Sequence, residues 1–168
     1  MYKKQKLMFY PATNPNRRGV LLPGGGYEKI NYKKEGEEPA YWLNAHGFDA
    51  EICATGRVET LGVWGFGAGG HLAAMLATRC MRLNFAILAY PVIRMKKRIA
   101  IKRVRWDLLG SGDFDNDAAM DYFSVNKSIH VDTPPTFLFH TSNGKSVPVR
   151  NSLDYASAMA KYNRPFHI

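Results

Sequence analysis

The chain predicts an α/β protein with a mostly parallel sheet and helices on both faces. Two observations carry that prediction. Short runs rich in Val, Leu, Ile and Phe alternate with segments of helical periodicity, the order expected of a parallel sheet with crossover helices. Several of the runs are followed directly by glycine or proline turns. In such sheets these turns gather beyond the carboxyl ends of the strands and form the binding edge.

Taken in order, residues 6–10 (KLMFY) read as a strand and 11–18, rich in Pro and Asn, as a turn. Residues 19–22 (GVLL) form a short apolar run ahead of Pro23, Gly24, Gly25 and Gly26, the pattern of a buried parallel strand. A helix follows over 35–46, with Ala40, Trp42, Leu43 and Ala45 on its apolar side and Gly47 as its stop. Strands are predicted at 48–53 and 61–66, then a glycine turn and a helix over about 70–80. Residues 84–90 (NFAILAY) make a central strand ending at Pro91, and 136–140 (TFLFH) another after Pro134 and Pro135. Residues 151–162 read as a helix with Leu153, Ala156, Met159 and Ala160 apolar, and 166–168 (FHI) open a further strand.

Composition narrows the class. The 168 residues are 46% apolar and 22% charged, enough for one packed domain over 1–168 and unlike a disordered or fibrous chain. Two cysteines, Cys53 and Cys80, stand far apart without a CxxC pair, which excludes a disulfide framework and a cysteine-rich zinc site. No apolar run approaches the roughly 18 residues of a membrane span. The first ten residues hold three lysines but only a four-residue apolar run at 7–10, too short for a secretory signal, so the expected compartment is the cytoplasm.

Two glycine turns carry the chemistry. Gly24, Gly25, Gly26 and Tyr27 follow a strand, where glycines let the backbone approach a ligand and present N–H groups. The reading is an oxyanion hole, with Tyr27 as the substrate contact. The second turn, Gly65-Phe66-Gly67-Ala68-Gly69-Gly70, fits G-x-G-x-x-G, the dinucleotide fingerprint. That reading needs an acidic residue about twenty positions on, and no Asp or Glu occurs between Thr60 and Arg105. The other fit is the nucleophile elbow G-x-S-x-G with Gly67 in place of serine. Glycine relieves the strain of such a turn but carries no nucleophile.

The segments PGGGY (23–27), EGEEPAYWLNAHGF (35–48), GFGAGGHLAAMLAT (65–78), YPVI (90–93), DLLG (107–110), DTPPTFLFHT (132–141) and VPVRNSL (147–153) together resemble the α/β-hydrolase esterases, in the group described as acetyl-xylan or feruloyl esterase-like. The resemblance implies a reduced α/β-hydrolase fold with a basic insertion at about 94–130. It also implies carboxylic ester hydrolysis, often of acetyl groups on plant polysaccharides, by Ser, Asp and His without a cofactor. Carried onto this chain, the serine falls on Gly67 and the aspartate on Gly144, beside Asn143, which also lacks a carboxylate. The histidine falls beyond Ile168, with the C-terminal region cut short, and His167 matches a strand residue instead. Gly24, Gly25, Gly26, Tyr27 and the N–H of Ala68 would still form the oxyanion hole. The expectation is an esterase by descent that does not turn over. The alternative is a binder of acetylated sugar, or of a polyanion through the basic segment.

The resemblance also implies a longer connection, with a helix, where this chain has only residues 54–60. If the family's strand order holds, those residues must pass over one strand, roughly 10 Å sideways and 17 Å back, within a reach of about 25 Å. Part of a sheet face is then expected to stay uncovered, favouring self-association.

The remaining candidates have simpler readings beside them. Arg94, Lys96, Lys97, Arg98, Lys102, Arg103 and Arg105 suit a polyanion or a solvated insertion, and no nucleic-acid-binding fold accompanies them. Asp113, Asp115 and Asp117 lack the glycine and glutamate of a calcium loop, so Asp117 is read as a helix cap. His71 is expected to be a buried hydrogen-bonding residue, and His140 a weak candidate for ligand contact. His46 and His130 have no partners nearby in sequence, and the five histidines show no metal spacing. Trp42, Trp106, Tyr27 and Tyr32 could stack on a sugar ring, with core packing or ordinary surface contact preferred for Trp42.

Overall fold

The computed structural model describes residues 9–12, 17–26, 31–51, 60–79, 82–96 and 102–168. Its strands are β1 (Phe9–Tyr10), β2 (Arg17–Leu22), β3 (Asp49–Glu51), β4 (Thr60–Phe66), β5 (Phe85–Ala89), β6 (Thr136–Phe139) and β7 (Phe166–His167). They form one sheet in the order β1-β3-β2-β4-β5-β6-β7. β1 runs antiparallel to β3, and every other neighbouring pair is parallel. The helices are α1 (Glu38–Ala45), α2 (Ala68–Arg79), α3 (Lys102–Asp113), α4 (Asp117–Tyr122) and α5 (Arg150–Lys161).

The sheet alternation decides which helix covers which side. Val20, Val63, Ala86, Leu88 and Leu138 pack into one core with Ala73, Ala74 and Ala77 of α2 and Tyr155 and Met159 of α5. Leu21 and Ala50 face the other way, onto Ala40 and Leu43 of α1. Helices therefore lie on both faces, as the sequence predicts. The insertion between β5 and β6 packs Val92, Met95, Val104 and Met120 into a small core, which Val147 joins from the loop after β6. A broken turn at Gly110, with φ 72° and ψ 179°, bends the chain within α3.

Several expectations shift in detail. The helix predicted at 35–46 begins with a wider π-helical stretch, Lys33–Glu37, before α1, and Gly47 ends it with φ +76°. Trp42, counted on the apolar side and read as core packing or surface contact, is 52% exposed and makes the surface contact. Leu43 takes the core position, and one residue along a helix is a 100° rotation. Trp42 instead stacks on His46 at 3.9 Å between ring centroids and meets Trp64 edge-on at 5.9 Å. The cap of α4 is Asn116, whose extended backbone lets its side chain accept from the N–H groups of Ala118 and Ala119. Asp117 is the first helical residue after it.

β2 does lie between β3 and β4, so one strand separates the two, as expected. Cys53, Cys80 and residues 54–59 lie outside the described residues. Open apolar surface is found on β6. Residues in register across parallel strands share a face, and Leu21, Trp64, Ile87, Phe137 and His167 form one such row. α1 covers the Leu21 end of it, while Phe137 and Phe139 on β6 are 45% and 54% exposed.

The junction of β2, β4 and α2 depends on missing side chains. A Cβ at Gly69 would lie 1.8 Å from the carbonyl oxygen of Leu22, and one at Gly65 would lie 2.3 Å from that of Gly69. Backbone cannot yield there as a flexible side chain can. Gly69→Ala is expected to cost about 1–3 kcal/mol, read as a lower urea midpoint. Gly47→Ala, where nothing lies within 4 Å, should show only the smaller cost of its positive φ, about 1–2 kcal/mol.

Candidate active site

β4 ends at Phe66 and α2 begins at Ala68, leaving Gly67 as a one-residue turn with φ +52°. Its N–H donates to the Ala89 carbonyl at 3.0 Å, and its carbonyl accepts from His71 and Val92, each at 3.1 Å. Space does not dictate glycine here, because the nearest atoms to an added Cβ belong to the Tyr90 ring, 3.8 Å away. The backbone conformation does favour it. The shape of a nucleophile elbow is thus present, and at its tip there is no hydroxyl. Ala68, at the start of α2, carries one of the N–H groups that a helix leaves without an intrahelical acceptor.

The first glycine turn is pressed against this elbow. A Cβ at Gly24 would lie 2.4 Å from the Phe66 carbonyl oxygen. Gly25 and Gly26 take φ values of 149° and 67°, which L side chains rarely adopt. Tyr27 lies outside the described residues. Beyond the loop stands α3, whose Val104 would meet a Cβ on Gly26 at 4.0 Å.

Two residues that sequence reasoning missed join the turns. The Glu35 carboxylate accepts from the Gly24 N–H at 2.7 Å, from Asn31 Nδ2 at 2.9 Å and from the Tyr90 hydroxyl at 3.1 Å. Tyr90 holds a positive φ of 39°. Burial, then the neighbouring Glu35 charge, raises its pKa well above that of an ordinary phenol. The available signals were the acidic cluster after the glycine turn and the Tyr-Pro step ending a central strand.

The position matched to the aspartate, Gly144, lies in a turn whose N–H donates to Thr141 at 3.2 Å. A Cβ there would stand 2.9 Å from the Val147 carbonyl oxygen. His140 is committed to this loop rather than to ligand contact. Its Nε2 lies 2.9 Å from the Val147 carbonyl, which only accepts, so Nε2 carries the proton. In the neutral ring Nδ1 then accepts from the Ser152 hydroxyl at 2.8 Å. This Ser–His pair has the bonding of an activated nucleophile, but Ser152 is fully buried and out of reach of an ester. His71 is buried as expected, with Nε2 2.8 Å from the Phe123 carbonyl. Burial pushes its pKa down to about 4. His167 stacks on Phe137.

In the basic insertion, Lys97 and Arg98 lie outside the described residues. Carboxylates stand near four of the others: Asp154 by Arg94 at 2.8 Å, Asp121 by Lys96 at 3.2 Å, Asp107 by Arg103 at 3.7 Å and Asp115 by Arg105 at 4.0 Å. Among the described residues no cluster of three His, Cys, Asp or Glu side chains could hold a metal ion. No described helix is long and apolar enough to cross a membrane.

A parallel sheet with a strand–glycine–helix elbow at its carboxyl edge defines an α/β hydrolase. The chain belongs to the prolyl oligopeptidase family, whose family model matches residues 52–168. It is 30% identical over 193 aligned positions to an acetylxylan esterase of Xylanibacter ruminicola, using 94% of this chain and 40% of that protein. A second relative, endo-1,4-beta-xylanase B of Butyrivibrio fibrisolvens, is 32% identical over 122 residues, 64% of this chain and 19% of that protein. The chain thus spans less than half the length of either relative. Among solved structures, an acetyl ester-xyloside bifunctional hydrolase from Caldicellulosiruptor lactoaceticus superposes with a TM-score of 0.84 and 28% identity, over 96% of this chain and 75% of that one.

Two outcomes follow from the geometry. Glu35→Gln places an amide N–H₂ among three donors and is expected to cost about 1–3 kcal/mol of stability; Tyr90→Phe should cost roughly 1 kcal/mol. Urea denaturation of both single variants and the double variant checks this, and the two effects should not add. His71 is held neutral, so the folded state binds fewer protons than the unfolded one between about pH 6.5 and 4. Its share of stability is complete above pH 6.5 and is lost as pH falls toward 4, roughly 3 kcal/mol in all. Denaturation midpoints across that range should fall with pH, and His71→Gln should flatten the fall.

Proposed function

We propose that this chain is a carbohydrate-esterase-type α/β hydrolase that no longer performs acyl transfer. Gly67 carries the proposal: the elbow tip has the backbone turn of a nucleophile site and no oxygen to attack with. Two further observations support it. Gly144, matched to the acid position, has no carboxylate. Of the described histidines nearest in sequence to the two turns, His71 bonds the Phe123 carbonyl and both ring nitrogens of His140 are taken. The acetylxylan esterase relative and the acetyl ester-xyloside hydrolase structure support acetylated saccharide as the ancestral substrate class.

A second reading follows from the retained cradle. Gly24, Gly25, Gly26 and the Ala68 N–H still surround the elbow, and Glu35 and Tyr90 still brace it. Such a site can hold an ester carbonyl or an anion without cleaving it.

The protein is expected to take no label from a fluorophosphonate probe, read by intact mass, and to show no burst with p-nitrophenyl acetate. Stoichiometric labelling of any serine would overturn the proposal. Gly67→Ser should restore less than about tenfold over background, since the new hydroxyl gains no base. Calorimetry with acetylated xylo-oligomers tests the binding reading, and no heat at about millimolar ligand would remove it.

A further inference from the structure

The outer face of α3, turned away from the glycine loop, carries a cleft. Val104 turns toward the glycine loop, whereas Trp106 lies two residues on, about 200° around the helix. Lys102, Arg103, Trp106 and Asp107, with Phe114, line a cleft of about 410 Å³, within the range of small-ligand sites.

Its aromatic wall is built rather than incidental. The break at Gly110, with φ 72° and ψ 179°, needs glycine and returns the chain toward its own start. Phe114 thereby meets Trp106 at 5.1 Å between ring centroids and 64° between planes. The Arg105 guanidinium lies 4.1 Å from the Phe114 ring centroid, and Arg105 is itself only 5% exposed. A buried cation therefore fixes one ring, while Trp106 remains 50% exposed. A half-exposed tryptophan held against a fixed ring offers a flat apolar surface without further ordering cost.

The polar rim defines the chemistry. Lys102 and Arg103 are the cations of its lining, and Asp107, ion-paired to Arg103 Nε at 3.7 Å, adds a carboxylate. A flat C–H face beside an anion and hydroxyl groups matches that set: the ring stacks on Trp106, the anion meets Lys102 and Arg103, and a hydroxyl donates to Asp107. We propose that this cleft binds a uronic-acid-containing saccharide through Trp106, Phe114, Lys102 and Arg103. No elbow residue lines the cleft, so binding there holds whether or not the elbow cleaves an ester.

The test is a titration of the intact protein with oligogalacturonate, read at the Trp106 indole N–H by NMR. Xylotriose serves as the neutral arm and ferulate as the aromatic carboxylate arm. Expected are saturable oligogalacturonate shifts below about 10 mM that weaken as salt rises. Xylotriose and ferulate should each bind at least about fivefold more weakly. By calorimetry, Trp106→Ala should weaken binding by about tenfold or more, and Lys102→Gln should weaken it with a shallower salt dependence. Both changes are at exposed positions, and circular dichroism confirms that each variant is folded. Absence of binding at about 10 mM, equal binding of xylotriose, tighter binding of ferulate, or an unaffected Trp106→Ala variant would each overturn the proposal.

Discussion

Backbone-to-backbone contact between two glycine turns is the constraint from which the site follows. Gly69 of α2 sits against the Leu22 carbonyl at the end of β2, and Gly24 sits against the Phe66 carbonyl at the end of β4. Neither contact leaves room for a single carbon. Because the strands are parallel and adjacent, both turns leave the same edge of the sheet. The close approach then sets the first glycine turn beside the start of α2. Glu35 binds the first turn, and Tyr90 reaches it from the end of β5 while its ring lies over the second. A single carboxylate thereby ties the turn after β2 to the end of β5.

That arrangement separates two properties that esterases combine. Holding an acyl group needs oriented N–H donors and a tight backbone, and these come from glycine positions and the sheet order. Attacking it needs a hydroxyl, a base and an orienting carboxylate, which come from side chains. Here the tight backbone is present at Gly24 and Gly69, while Gly67 and Gly144 carry no side chain at all. The Ser152–His140 pair shows that bonding geometry alone is not activity. Ser152 is a buried residue of α5, and the pair holds the loop at Val147 to that helix instead.

The order of elements was legible because parallel strands buried on both faces read as continuous apolar runs. Residues 19–22, 61–66 and 84–90 were placed that way and lie within one or two residues of β2, β4 and β5. The two glycine turns were legible because close approach demands glycine, a requirement visible in sequence. What escaped was set by long-range contact. Glu35 and Tyr90 are 55 positions apart, and nothing local in either segment announces the other. The sequence leaves Trp42 open between core packing and surface contact, and it lies at the surface while Leu43 occupies the sheet-facing position. Asn116 rather than Asp117 caps α4 because the cap must keep an extended backbone.

The positive φ at Gly67 gives change at this position a direction. An L-residue there holds the chain in a conformation costing roughly 1–2 kcal/mol, offset in part by the greater freedom of an unfolded glycine. Glycine removes that burden, so selection for folding alone favours glycine at this turn over any side chain, a hydroxyl included.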